Sequence, residues 1–113
     1  MRLLATIAPT LATLAKNGHD INVEGHTDDI PIHTARFSSN WELSTARATS
    51  VVHHLIRAEK LPAQYMGAIG YGEYHPLFPN DSEEHRSANR RVVFFVKNKP
   101  ADYSKWDKKE KTP

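Results

Sequence analysis

The chain of 113 residues is long enough for one domain with a single hydrophobic core. Hydrophobic residues make up 39% and charged residues 25%, which is ordinary for a globular domain and argues against a disordered or membrane-embedded chain. Cysteine is absent, which excludes disulfides and thiolate metal sites.

The basic charge is concentrated near the C-terminus. Of the 15 Lys and Arg residues, six lie from Lys97 onward, with three of the 13 acids, which leaves nine basic and ten acidic residues in 1–96. That larger part is therefore close to neutral. Because phosphate binding needs a continuous cationic face, the composition does not predict a nucleic-acid partner.

The N-terminal run LLATIAPTLATLA resembles a short signal peptide, but its apolar residues recur at three- and four-residue spacing. This spacing predicts an amphipathic helix over 2–16, with Pro9 either kinking the helix or starting it late. Asn17-Gly18 is expected to close it. No stretch reaches the ~18 apolar residues of a membrane-spanning helix, so the sequence as it stands predicts neither a span nor export.

Two strands and a long helix follow. INVE, residues 21–24, alternates apolar and polar side chains and predicts a strand that ends at Gly25. WELSTARATSVVHHLIRAEK, residues 41–60, predicts a helix capped by Ser39, with Glu42 completing a capping box, or by Asn40. Leu61-Pro62 ends that helix, and residues 64–70 predict the second strand.

The last elements are shorter. Residues 81–89 predict a helix capped by Asn80 or Ser82, and RVVFFV, residues 91–96, has the apolar character of a central buried strand. Residues 97–113 are too charged and broken to pack, which predicts a disordered tail. The order α-β-α-β-α-β predicts an α/β fold, specifically an α+β two-layer sandwich over residues 1–96 in which helices cover one sheet.

A zinc site is one interpretation of INVEGHTDDIPIH, residues 21–33. His26, Asp28, Asp29 and His33 crowd one loop, and imidazole with carboxylate suits zinc. On an extended segment His26 and Asp28 would point to one face, yet no helical His-Glu-x-x-His motif supplies further ligands. No metal or other cofactor is therefore predicted.

Catalysis has little support in the sequence. The chain has no Gly-x-Ser-x-Gly motif and no cysteine nucleophile. The adjacent Asp28 and Asp29 could act as acid and base, but neighbouring side chains on a strand end diverge. The sequence predicts that the protein is not an enzyme.

Recognition of a zwitterion is the third interpretation. Asp28 follows a strand and Arg47 lies in the next helix, so the two could hold an ammonium and a carboxylate a few ångströms apart. Arginine binds carboxylates bidentately through charge-assisted hydrogen bonds. Alternatively, Arg47 pairs with Asp28 or Glu42 on the surface, which contributes only ~0–1 kcal/mol. Spacing alone leaves both alternatives open.

Five segments in order resemble the OmpA-like peptidoglycan-binding domain. These are GHTDD (25–29), NWELSTARA (40–48), GYGEYHP (70–76), PND (79–81) and NRRV (89–92), which together cover about residues 20–96. The long insert IPIHTARFSSNWELS is similar to the MotB branch, the flagellar-motor stator subunit that anchors to the cell wall, and within it most similar to the lateral-flagellar version.

The resemblance implies a ligand, the diaminopimelate of the peptidoglycan stem peptide, whose free end carries an ammonium and a carboxylate. By position, Asp28 would meet the ammonium and Arg47 the carboxylate. The supporting pocket would comprise Thr27, Asp29, Asn40 and Leu43 near the rim, with Asn89, Arg90 and Arg91 bracing the loops.

The resemblance also implies features that this sequence does not display. Family domains open with a strand before the first helix, and stator subunits carry an N-terminal transmembrane helix, so the chain is expected to be N-terminally truncated. Family members are periplasmic, anchored in the inner membrane, dimeric and bound to a stator partner subunit, whereas this chain as written would stay in the cytoplasm. Without the first strand, residues 92–96 would expose a sheet edge that invites pairing. The alternatives are a zinc-dependent wall hydrolase using His26, Asp28 and His33, or a folded remnant without ligand.

Overall fold

The computed structural model describes residues 2–98, so most of the predicted C-terminal tail lies outside the described residues. Helix α1 spans Arg2–Lys16 and contains Pro9 within its length rather than at its first position. Gly18, with φ of 89°, follows the helix in the left-handed region that glycine adopts without strain.

Alternating strands and helices follow α1. Strand β1 spans Ile21–Gly25, helix α2 spans Asn40–Arg57, and strand β2 spans Met66–Gly70 after a 3₁₀ turn at Ala63–Tyr65. Helix α3 spans Glu83–Asn89 and strand β3 spans Val92–Val96. The predicted α/β fold with three helices and three strands is confirmed, although the predicted second helix and strand were each a few residues too long.

Side-chain caps define where α2 and α3 begin. The Ser39 hydroxyl accepts from the Trp41 N–H at 3.1 Å and donates to the Glu42 carboxylate, so Ser39, not Asn40, caps α2. This hydrogen bond holds the pKa of Glu42 below its ordinary value. The Ser82 hydroxyl accepts from the His85 N–H at 3.1 Å and caps α3.

The sheet has the order β2-β1-β3, with β1 parallel to β2 and antiparallel to β3. The central strand is therefore β1, and the prediction of a central position for residues 91–96 was wrong. Strand β3 is an outer strand, and Phe95 on it is 53% exposed. An apolar run of five or six residues fits either position, because the outer strand here still packs Val92, Phe94 and Val96 against the core.

The core lies between one face of the sheet and helices α1 and α2. Ile21 and Val23 of β1 are fully buried, and they pack with Leu11 of α1 and Leu55 of α2. The alternate residues Asn22 and Glu24 point to the other face of the sheet, as strand alternation requires. The fold is thus a two-layer sandwich whose second sheet face is not covered by a helix of the described part.

Helix α2 approaches the C-terminal ends of β1 and β2 closely. A Cβ added at Gly25 would lie 2.1 Å from the backbone oxygen of Ser44, and one at Gly70 would lie 2.1 Å from Oγ1 of Thr45. Glycine at these two positions therefore lets the first turns of α2 rest directly on the strand ends. This contact places the start of α2 beside the loop that follows β1.

Candidate functional site

The loop after β1 is held in place by its own backbone. The His26 N–H donates to the carbonyl oxygen of Arg91 and the Thr27 N–H to that of Gly72, both at 2.9 Å. The Thr27 hydroxyl donates to the Asp28 carbonyl oxygen at 2.8 Å. His26, Thr27 and Asp28 are all buried, so the loop continues the core outward from β1 instead of projecting into solvent.

Asp28 is 7% exposed and each of its carboxylate oxygens has one partner. Oδ1 accepts from the Ile30 N–H at 3.0 Å, and Oδ2 accepts from Nη1 of Arg90 at 2.6 Å. Arg90 also donates to Glu83 at 2.8 Å, and the two carboxylates raise the pKa of the guanidinium above its ordinary value. Asp28 therefore sits as a buried anion stabilised by a cation 62 residues away in sequence.

Asn40, the first residue of α2, ties the helix to the acidic loop. Its side chain is buried and Nδ2 donates to the carbonyl oxygens of Asp28 at 3.3 Å and Ile30 at 3.1 Å. Leu43 and Arg47 follow at three and seven residues along the helix, so the three side chains share one helical face. Helix α2 thus presents a polar, an apolar and a cationic side chain to the loop.

These residues line a cavity of about 220 Å³. Arg47 is exposed, and its side chain forms neither a hydrogen bond nor an ion pair with the described residues. The alternative in which Arg47 pairs with Asp28 or Glu42 is therefore wrong, because Asp28 pairs with Arg90 and Glu42 accepts from Ser39. The lining residues are Thr27, Asp28, Ile30, Pro31, Ile32, Asn40, Leu43, Arg47 and Arg90.

Two other predicted supporting residues, Asn89 and Arg91, do not line this cavity. Asn89 is fully buried, accepts from the N–H groups of Leu77 and Phe78, and donates to the carbonyl oxygen of Phe78. Arg91 donates to the carbonyl oxygen of His75 at 2.9 Å, and burial lowers the pKa of its guanidinium. Both residues brace the loop after β2.

Asp29 and Arg90 differ from the roles assigned to them by position. Asp29 is exposed and pairs with Arg86 at 3.2 Å, outside the residues that line the cavity. Arg90 lines the cavity itself and contacts Asp28 directly. The apolar residues Ile30 and Pro31 also line the cavity, although they were not predicted to belong to the site. Their position directly after Asp28 and Asp29 in the sequence could have indicated this.

His26 lies in a different environment from Asp28. It contributes to a second cavity of about 530 Å³ with Glu24, His75 and Arg91, and its ring stacks on Tyr71 at 5.2 Å between centroids. The expectation that His26 and Asp28 point to one face was wrong, because the chain leaves the sheet after Gly25. Within residues 2–98, no three His, Asp or Glu side chains stand close enough together to hold a metal ion.

His33 is far from a ligand geometry as well. It lies exposed in the insert, where Nδ1 is 3.3 Å from the carbonyl oxygen of Ser38. The structure thus does not bring His26, Asp28 and His33 together. In the described part of the chain, no helix is long and apolar enough to cross a membrane.

Comparison with known proteins identifies relatives of this fold and site. The model of the OmpA family matches residues 1–90. Motility protein B of Bacillus subtilis is 48% identical over 77 residues, which cover 68% of this chain and 30% of that protein. The chain spans less than half the length of the curated relatives it matches.

Solved structures support the same relationship. The periplasmic domain of Helicobacter pylori MotB aligns with 100% of this chain and 74% of that structure, with a TM-score of 0.75 and 32% identity. A cell wall anchor of the type VI secretion system of Pseudomonas aeruginosa aligns with 85% of this chain and 66% of that structure, with a TM-score of 0.71 and 39% identity. On the family match over most of its length, this chain belongs to the OmpA family.

Proposed function

We propose that this chain is a non-catalytic peptidoglycan-binding module of the MotB type that recognises the diaminopimelate of the stem peptide. The observation that carries the proposal is that Asp28 and Arg47 line the same cavity while Arg47 has no partner among the described residues. An anion and a free cation facing one cavity of about 220 Å³ suit a small group that carries both charges.

Asp28 binds the ammonium in this proposal. Each carboxylate oxygen has two lone pairs and uses one, on the Ile30 N–H and on Arg90 respectively. The remaining lone pairs can accept from an ammonium without breaking either contact. Because the acid is nearly buried, the attraction is screened less than at an open surface.

Arg47 binds the carboxylate. Its planar guanidinium can donate two parallel hydrogen bonds to a carboxylate, a geometry that the point charge of a lysine does not supply. Asn40 and Leu43 shape the wall between the two charged groups, since they lie on the same face of α2. The Thr27 hydroxyl donates to the Asp28 carbonyl oxygen and so helps to hold the backbone at Asp28.

The relatives support wall attachment as the biological role. The similar proteins include Motility protein B of several bacteria and a protein described as a cell wall anchor. By analogy, we propose that residues 1–96 form the anchoring domain of a stator-like protein that works in the periplasm as a homodimer beside a stator partner subunit.

The test is binding to isolated sacculi and to a diaminopimelate-containing stem tripeptide, measured by pull-down and calorimetry. Wild type should bind saturably, and Asp28→Asn or Arg47→Ala should lower the affinity by at least about tenfold, the effect of losing a charge-assisted contact. Arg57→Ala, which removes an exposed arginine at the far end of α2, is the matched control and should bind as wild type.

The outcomes separate the alternatives. Equal binding by wild type and both site variants, with unchanged thermal unfolding, would show that the cavity is not the ligand site. Absence of saturable binding by folded wild type would favour a remnant without ligand. Release of soluble wall fragments together with stoichiometric zinc would instead point to the hydrolase.

A further inference from the structure

The insert between β1 and α2 contains a hydrogen-bonded turn at residues 34–37. The Thr34 N–H donates to the Phe37 carbonyl oxygen at 2.8 Å, and the Thr34 hydroxyl accepts from the Phe37 N–H at 2.9 Å and the Arg36 N–H at 3.3 Å. This closed turn fixes the direction in which Arg36 and Phe37 leave the backbone. The insert is therefore a built structural element rather than a loose connection.

An apolar groove of about 440 Å³, distinct from both cavities described above, lies between this turn and helix α2. Its walls are mainly apolar and include Phe37, Val51 and Val92. It shares two lining residues, Leu43 and Arg47, with the Asp28 cavity. The two spaces therefore adjoin on either side of Arg47, and a ligand held at Asp28 and Arg47 can continue into the groove.

The groove carries positive charge without a counter-ion. Arg36 and Arg47 both line it, and no Asp or Glu does. The Arg36 guanidinium lies over the Phe37 ring at 5.0 Å from the centroid, which is a cation–π contact. Among residues 2–98, Arg36 forms no ion pair.

We propose that this groove binds the stem-peptide residue next to the diaminopimelate, and that Arg36 binds a second carboxylate carried by that residue. The proposal rests on the proposed function, since it needs the diaminopimelate between Asp28 and Arg47. The zwitterionic end of diaminopimelate is the end of its side chain, so the rest of the stem peptide continues away from Asp28 and Arg47 and can enter the adjoining space. The apolar walls accommodate the aliphatic part of the peptide, and the guanidinium takes its charge.

The occupant follows from the charge and the shape together. A neutral sugar would leave Arg36 without an anionic partner. A nucleic acid would need a wider cationic surface than two arginines beside an acid. A short anionic peptide matches an apolar groove with one guanidinium at its side and a zwitterion site at its end.

The experiment compares two synthetic stem tripeptides that differ at one group. In the first, the residue preceding diaminopimelate carries a free carboxylate, and in the second that carboxylate is an amide. Calorimetry on the full chain should show that wild type prefers the acid by roughly threefold to tenfold, the range of one partly exposed charge-assisted contact. Arg36→Gln should remove this preference and leave the affinity for the amide peptide unchanged.

Arg57→Gln makes the same charge change at the other end of α2 and should keep the preference. Equal affinity of wild type for the two peptides would overturn this proposal while leaving the Asp28–Arg47 site intact. An equal loss for both peptides in Arg36→Gln would also overturn it, because Arg36 would then not distinguish the carboxylate. Failure of both peptides to bind wild type would refute the diaminopimelate site and, with it, the groove.

Discussion

His26 and Asp28 are two residues apart on the same loop, both are buried, and their environments differ completely. Both ring nitrogens of His26 lack a hydrogen-bond partner, and burial, followed by the charge of Arg91, lowers its pKa below 6.5. The carboxylate of Asp28 has a partner on each oxygen and an unpaired arginine across its cavity.

The difference shows that burial by itself does not make a binding site. His26 stacks on Tyr71 near Glu24, and because burial disfavours its ionised form it has no charge to pair with a charged ligand. The Asp28 carboxylate is paired with Arg90, and each of its oxygens still has a spare lone pair. The candidate ligand site is therefore the cavity lined by charged side chains, one of which, Arg47, has no partner among the described residues.

The largest expected effect concerns the strand end from which both residues depart. Gly25→Ala places a Cβ 2.1 Å from the Ser44 backbone oxygen, so α2 must move away from the sheet. We expect a loss of about 1–3 kcal/mol or more in the free energy of unfolding, measured by urea denaturation. Both environments should be disturbed, since the His26 and Asp28 loop begins at this contact.

Gly67→Ala is the matched control for this substitution. There the added Cβ meets only Oδ1 of Asn22 at 2.7 Å, the end of a side chain that can rotate. Its loss of stability should be clearly smaller. Equal losses for the two variants would mean that the close approach of α2 is not what holds this part of the fold.

The next largest expected effect compares the nearly buried ion pair of Asp28 and Arg90 with the exposed pair of Asp29 and Arg86. Arg90→Ala leaves the nearly buried Asp28 without its cation, whereas Arg86→Ala removes an exposed pair with Asp29. Because an uncompensated buried charge is costly and an exposed pair contributes only about 0–1 kcal/mol, Arg90→Ala should lower the thermal midpoint more.

Thermal unfolding at neutral pH compares the two variants directly. Equal midpoints at neutral pH would show that Arg90 does not stabilise the Asp28 carboxylate.

The smallest effect tests the His26 side of the comparison. Below pH 6.5 the unfolded chain takes up a proton on His26 that the folded chain resists, because the folded pKa is lowered. Stability from this residue is thus complete above pH 6.5 and falls as the pH drops toward the folded pKa. In wild type, the urea midpoint should fall as the pH is lowered from about 7.5 to about 5.5.

His26→Phe keeps a ring on Tyr71 and should flatten part of this slope. His53→Gln, at an exposed position of α2, should leave the slope as in wild type. An unchanged slope in His26→Phe would remove His26 as its source.

The helix boundaries and strand β1 could largely be predicted from local sequence, because capping, turn preference and side-chain alternation determine them. Ser39 and Glu42 predict the start of α2, and Gly18 predicts the end of α1. The alternation of apolar and polar residues over 21–25 predicts strand β1. The position of β3 in the sheet was not readable, since an apolar run of that length fits a central or an outer strand equally.

The candidate site divides in the same way. The types and order of its residues, an acid after a strand and an arginine two turns into the next helix, fit a zwitterion site, but spacing alone left a surface ion pair equally open. The pairing of Asp28 with Arg90 could not be inferred, because 62 residues separate them and only the sheet brings β1 and β3 together. The same pairing is what leaves Arg47 available.

The sequence by itself determined three helices and three strands in alternation, the candidate caps of the helices, and the presence of Asp28 after a strand and Arg47 in the next helix. These follow from short-range forces such as capping, side-chain periodicity and turn preference. The tertiary structure decided which charges meet, which face His26 takes, and that Arg36 borders a groove shared with Arg47. The physical reason is that charge pairing and burial depend on distances across the fold, which packing of α2 on the strand ends sets and no local pattern encodes.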